Sequence, residues 1–305
     1  MLEPLTLTGI DGSNPLGYLA ALGTLRLLSQ QHPAVRMHWT RDTAAWRPVL
    51  SGIDLASDAL IAALLAAPAF PAIESAPLGK NITVEPAKFS EFVQKAEASL
   101  HPSGNRIPAD FAAAFGSEVC VDKDKNRIEY TLLCFITGSG HQDFLETART
   151  LLKKVEAPHL QETLFGPWLR RDDKLSLRWD PSDASEYALR WDNPGPLGVK
   201  SVWGAGRLAI EALPLFPTQP ITPKYVATTG FCEDRYPEQF TWPLWTTPVS
   251  CDTVRSLVAL AELRQAAPNR QQLTPLGIAE VFRSPRVRIG QGANFKVSFR
   301  PSKAV

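Results

Sequence analysis

Proline is the first constraint on what this chain can fold into. It occupies 26 of the 305 positions, well above the usual ~5%, and the prolines are spread along the whole length. Each one removes a backbone donor and fixes φ near one value, so it stops or bends most helices and interrupts a ladder. The chain is therefore expected to be a mosaic of short elements joined by ordered loops. Long helices and a strictly alternating βαβ pattern are both disfavoured.

Within that limit the apolar fraction is 44% and the charged fraction 21%, values that allow a sizeable globular core. Residues 5–10, Leu-Thr-Leu-Thr-Gly-Ile, alternate as a half-buried strand does. The helix that follows, about 15–30, carries Leu16, Leu19, Leu22, Leu25, Leu27 and Leu28 on nearly every face and is expected to be buried. Asn14 is its N-cap and Pro15 takes the first helical position. Further helices are expected at about 55–67, 86–100, 142–155, 157–165, 203–213 and 252–265. Glu118–Val121 and Arg127–Thr137 flank Asp122–Asn126 as a β-hairpin, with the unbroken apolar run Tyr130–Ile136 as a central strand. Two strands over 283–300 enclose Gly290-Gln-Gly292. The fold class is α+β: helices packed on antiparallel sheets, Pro-rich ordered loops, and a C-terminal basic β-ribbon. Residues 1–165 read as an N-terminal α+β region and 166–305 as a second region opening on a Trp-, Asp- and Pro-rich stretch. That stretch reads equally as an ordered part of one continuous domain.

Charge narrows the partners. Lys plus Arg number 32 and Asp plus Glu 31, so affinity for nucleic acid must come from a local patch and not from bulk charge. The tail supplies one: no acid follows Glu280, whereas Arg283, Arg286, Arg288, Lys296, Arg300 and Lys303 do. In strands Arg286 and Arg288 share a face, as do Lys296 and Arg300. A basic ribbon with a glycine-rich tip, Gly290–Asn294, is the candidate nucleic-acid surface; a solvated edge strand is the plain alternative. Arg207, in the first turn of the Trp203-Gly-Ala-Gly-Arg helix, sits where cations are disfavoured and calls for an anionic partner, a carboxylate or a phosphate. Lys200 lies just upstream.

Two patterns that invite an enzymatic reading are incomplete. The corner Gly9-Ile-Asp-Gly-Ser-Asn-Pro-Leu-Gly17 meets neither the dinucleotide nor the P-loop spacing, and its nearest charge, Asp11, would repel phosphate. It reads as a capped strand-to-helix turn. The triplets Arg178-Trp179-Asp180 and Arg190-Trp191-Asp192, with Asp172 and Asp173 upstream, offer carboxylates that could hold Mg²⁺ for phosphodiester hydrolysis. No Lys or His is placed beside them, and the stretch reads also as an ordered loop with Trp anchors and Arg–Asp pairs, or as Arg and Trp contacts to a nucleic-acid strand. Cys120, Cys134, Cys232 and Cys251 form no C-x-x-C pair, so they read as buried thiols and not as a zinc ribbon. No cofactor is expected. Glu3 stands where a signal peptide would be positive and no apolar run reaches membrane-spanning length, so a cytoplasmic protein with no membrane partner is expected.

The corner at 9–23, together with the run from Leu177-Arg-Trp-Asp-Pro through Tyr187-Ala-Leu-Arg to Trp203-Gly-Ala-Gly-Arg-Leu-Ala-Ile-Glu-Ala-Leu-Pro-Leu-Phe-Pro217, resembles a family from type I-G (formerly I-U) CRISPR loci. That family is an extension of the helicase-nuclease, to which it can be fused. The start is also similar to the opening of the large subunit of the type I-G effector complex. The resemblance covers about a quarter of the chain. It implies a protein of RNA-guided antiviral defence that binds crRNA, target DNA, other effector subunits or the helicase-nuclease, without an active site of its own. A metal-dependent nuclease using the Asp172–Asp192 carboxylates, and a pure protein–protein adaptor, remain the alternatives.

Overall fold

The computed structural model describes residues 3–43, 45–67, 77–100, 104–138, 142–183, 200–232, 237–289 and 296–305. In chain order the elements are β1 (Leu5–Thr6), α1 (Pro15–Gln31), β2 (Arg36–Arg41), β3 (Trp46–Ser51), α2 (Ser57–Ala66), α3 (Pro86–Leu100), α4 (Ile107–Phe115), β4 (Gly116–Asp122), β5 (Arg127–Tyr130), α5 (Phe144–Lys154), α6 (Ala157–Phe165) and β6 (Asp172–Asp173). They continue with β7 (Lys200–Ser201), α7 (Trp203–Ile210), β8 (Thr218–Thr222), β9 (Tyr225–Thr228), β10 (Phe231–Cys232), β11 (Gln239–Trp245), α8 (Cys251–Val258), α9 (Arg270–Leu273), β12 (Ile278–Ile289), β13 (Lys296–Phe299) and β14 (Lys303–Ala304). The α+β class holds, and every pairing between these strands is antiparallel.

α1 is the centre of the molecule. Asn14 caps it as its composition demands: the side-chain oxygen accepts from Leu16 N at 2.9 Å and Gly17 N at 3.3 Å. Every residue from Pro15 to Leu28 is buried, because apolar side chains leave on all sides of the helix. α7 crosses it, with α2 and α8 also against α1 and with α5 and α6 against α7. The crossing is close because Gly23 has no side chain; a Cβ there would overlap the carbonyl of Leu208. Beside it, buried Arg26 donates to buried Glu211 at 2.9 Å. The two stretches at 9–23 and 203–217 thus form one packed unit, although they lie far apart in the chain.

Two sheets flank this helical centre. β1, β3 and β2 form one; β10, β11, β12 and β13 form the other, with β14 added to the edge of β12. A bridge between Met37 and Val249 ties β2 to the segment before α8. Aromatic rings fill the space between sheets and α1: Tyr18 stacks on Trp39 at 5.8 Å and meets Trp242 at 5.7 Å. Two of the indoles find acceptors, Trp242 Nε1 donating to Gly12 O and Trp245 Nε1 to Met37 O, each at 2.8 Å. The hairpins β4–β5 and β8–β9 pack against each other at one side.

Two local expectations change. The strand expected over 5–10 ends at Thr6, because Gly9 turns away to donate to Leu164 O at 2.9 Å. The run Tyr130–Ile136 leaves the ladder after Tyr130. It enters the core as a turn, with Cys134 N donating to Thr131 O at 3.1 Å, and Leu133 to Ile136 are all buried. Apolar content marked burial there, and burial did not require a strand. One continuous core runs from Leu7 to Phe299. No helix among the described residues is long and apolar enough to cross a membrane.

Candidate functional site

Three of the candidate cations face inward. Arg207 is buried, with its Nη groups 3.3 Å from Leu64 O, 3.4 Å from Leu65 O and 3.4 Å from Val155 O. Desolvation lowers its pKa and the nearby Glu211 carboxylate acts against that shift. Its hydrogen-bond partners are backbone carbonyls, and the Glu211 carboxylate nearby is itself paired with Arg26. Arg283 is also buried: Nε donates to Thr241 Oγ1 at 2.9 Å, and the Nη groups donate to Leu263 O, Gln265 O and Ala266 O at 2.9, 2.7 and 3.2 Å. It staples the segment after α8 to the sheet. Arg286 lies over the Phe135 ring at 5.2 Å and 3.6 Å from Glu238, and burial lowers its pKa. Neither Arg207 nor Arg283 belongs to a surface, which corrects their assignment as nucleic-acid contacts.

The remaining four reach solvent to differing extents. Lys200 pairs with Asp173 at 2.6 Å across the β6–β7 ladder. Arg288 and Lys296 are exposed and Arg300 is half-buried. The ribbon itself forms, with Arg286 opposite Phe299, Arg288 opposite Val297 and Ile289 opposite Lys296. Directly opposed residues share a face, so Arg286 and Arg288 lie with buried Phe299 and Val297, whereas Lys296 lies on the other face. Arg286 and Arg288 share a face of β12, Arg300 lies one residue past the end of β13, and the register puts Lys296 on the face opposite the Arg286–Arg288 pair. The glycine-rich tip lies outside the described residues.

The carboxylates are dispersed among separate partners. Asp172 accepts from Trp203 N at 2.8 Å and lies 3.8 Å from His159 Nε2. Asp180 pairs with Arg170 at 3.0 Å and accepts from Asn14 Nδ2 at 3.1 Å. Asp183 accepts from Ser176 Oγ, and burial, with Asp180 nearby, pushes its carboxyl up to about 7. Asp192 and the second Arg-Trp-Asp triplet lie outside the described residues. Among the described residues no group of three or more His, Cys, Asp and Glu side chains stands where it could hold a metal ion. Trp179 is an anchor, buried and donating to Leu133 O at 2.8 Å.

The glycine-rich corner has a neighbour that its sequence does not announce. It lines a half-open cleft of about 470 Å³ with Arg47 of β3 and the Gly166–Arg170 run after α6. Arg47 is held by Asp42 Oδ2 at 2.9 Å and by Ile10 O at 2.9 Å. Arg170 is held by Asp180 and by Ser182 Oγ, the latter at 2.9 Å, and its guanidinium carbon lies 5.8 Å from the centre of the Trp168 ring. Trp168 Nε1 donates to Thr163 O at 3.1 Å. Asp11 also lines the cleft, each of its oxygens accepting from Ser13. The run Gly166-Pro-Trp-Leu-Arg170 hints at a placed Trp and Arg, but nothing ties it in sequence to a corner more than 150 residues upstream. A second cleft, about 320 Å³, lies between α1, α4 and α8. Its Arg106 and Arg255 both approach Asp110, and burial pushes the Cys251 thiol up to about 11, too high for a ready nucleophile. Compared with known proteins, the chain matches no family model and no curated protein.

Proposed function

We propose that the chain is a non-catalytic subunit or adaptor of a type I CRISPR-Cas antiviral defence system, of the I-G kind that its two motif regions resemble. It acts in the cytoplasm on crRNA or target DNA, beside other effector subunits or the helicase-nuclease. One observation carries the reading: the two distant stretches of the resemblance pack against each other as α1 and α7, through Gly23 and the Arg26–Glu211 pair. A resemblance split between regions that share one structural unit is more informative than either half alone. Arg288, Lys296 and Lys303, exposed at the end of the last sheet, provide contacts for a phosphate backbone. Asp172, Asp173 and Asp180 are each tied to separate partners, which favours binding over hydrolysis.

The test is equilibrium binding of labelled single-stranded RNA and DNA across a salt series. Arg288→Ala and Lys296→Ala should each weaken binding to all sequences alike and reduce the salt slope by about one. Arg283→Ala should leave the slope unchanged while lowering stability by about 2 kcal/mol, because it strands the buried Leu263 carbonyl and Thr241 hydroxyl. No binding by the chain, alone or co-purified with type I effector subunits, would overturn the nucleic-acid part. The pure adaptor reading rests on a different observation. Val119, Ile221 and Tyr225 are 62%, 60% and 67% exposed on the two packed hairpins, and a protein partner would cover them.

A further inference from the structure

We propose that the cleft at the first strand-to-helix corner seats one nucleotide of a single-stranded nucleic acid. Arg47 and Arg170 take the phosphate, Trp168 stacks on the base, and Asp11 accepts from a sugar hydroxyl or a base amino group. This rests on the nucleic-acid part of the reading above and names a contact that the basic tail does not supply.

Size and enclosure fit: at about 470 Å³ and open on one side, the cleft falls within the ~300–1,000 Å³ of small-ligand sites while leaving room for a strand to enter and leave. Both guanidiniums are fixed before any ligand arrives. Arg47 gives Nε to Asp42 and one Nη1 hydrogen to Ile10 O, which among the described residues leaves the rest of its fork for a ligand. Arg170 gives Nε to Asp180 and Ser182, and its side chain is 36% exposed. A cation already oriented loses little freedom on binding. The Trp168 bond to Thr163 O likewise fixes the plane of the half-buried indole, over which the Arg170 guanidinium lies, and an aromatic ring held in this way can stack on any base.

Asp11 decides the ligand class. A carboxylate in the wall disfavours a bare inorganic anion but suits a molecule with an anionic end and a donor-bearing end. A nucleotide is such a molecule. Because Arg47 and Arg170 are each paired with a carboxylate, the cleft should contribute affinity mainly through stacking and hydrogen bonds, with little counterion release. Its signature therefore differs from that of the tail.

The experiment uses the full chain with fluorescein-labelled (dT)15 and (rU)15 in a salt series, and ultraviolet crosslinking of the same oligonucleotides followed by mass spectrometry. Trp168→Ala should weaken binding about tenfold, the loss of one stacked base, with the salt slope nearly unchanged. Trp168→Phe should recover most of that loss, and Arg47→Gln should weaken binding several-fold. Crosslinks on the wild-type chain should fall within residues 165–170 or the 8–14 corner, a readout that survives even if Trp168→Ala fails to fold. Suppose the wild type binds, the cleft variants bind as tightly, and crosslinks lie only in 286–303. The cleft inference is then overturned and the function reading stands. Wild-type protein that binds neither oligonucleotide overturns both. Loss of co-purifying effector subunits in Trp168→Ala, with oligonucleotide binding intact, would mean that the cleft holds a protein segment and would overturn the nucleotide seat.

Discussion

Asp183 closes the turn at 181–183 at 2% exposure, accepting from Ser176 Oγ through one oxygen while the other has no partner among the described residues. Desolvation dominates its chemistry and Asp180 adds to it; Ser176, Arg178 and Arg170 pull the other way, and the carboxyl is pushed up to about 7. In the unfolded chain it would titrate near the ordinary value of ~3.9. Between those values the native state holds a proton that the unfolded state has lost. The site's contribution to stability is therefore complete below about pH 4 and is lost as pH rises through about 7. Asp183→Asn, neutral throughout, should flatten the dependence. Urea unfolding at about pH 5 and about pH 8 should show the wild type losing more stability across that interval than the variant, by on the order of a few kcal/mol. Equal losses would mean that Asp183 is already ionised in the fold. Glu211, also raised to about 7 by burial against the pull of Arg26 and Arg207, keeps some slope in the variant. Both sites show why residue roles were only partly readable in the sequence. A buried Arg207 or Arg283 is spelled like an exposed one, and only the carbonyls that converge on it reveal its use.

At the level of elements, what could be read depended on whether the signal was local. α1, α3 and α6 appear where their apolar periodicity, caps and flanking prolines place them. β2, β3 and β11 were not expected, because Pro48 and Pro243 sit inside β3 and β11 and hide their period. The face of a ribbon was also hidden, since it depends on which residue of β13 opposes which of β12. The crossing of α1 and α7 is the element contact with the sharpest consequence. Gly23→Ala would drive a methyl into the Leu208 carbonyl, and backbone cannot step aside as a side chain can. The helices would have to separate, at a cost of about 3 kcal/mol. Gly206→Ala, on the same pair of helices, meets only the end of Leu151 at 3.2 Å and should be tolerated. Thermal denaturation of the two variants side by side checks this. Similar melting temperatures would mean that the crossing is looser than the backbone contact implies.

Across the whole molecule, the two regions separated by the Trp-rich stretch are interleaved. α1 belongs to the first and packs on α7 of the second. Met37 and Val249 exchange both backbone bonds, at 2.9 and 3.0 Å. Trp242 donates to Gly12 O and Ser302 to Ser13 O. A cut after residue 165 would thus expose the side of α1 that now meets α7, strand β2's bridge, and the buried Arg26, whose carboxylate partner Glu211 would be gone. Leucines on all sides of α1 cannot be covered by the first region alone, and an unpaired buried charge is costly in itself. Residues 1–165 expressed alone should therefore lack a cooperative melt, bind a hydrophobic dye and aggregate, while the full chain unfolds in a single transition. Co-expression of 1–165 with 166–305 should restore a soluble complex, because the missing surfaces are then supplied in trans. A fragment 1–165 that melts cooperatively by itself would show that the interleaved contacts join two separately stable domains instead of building one core.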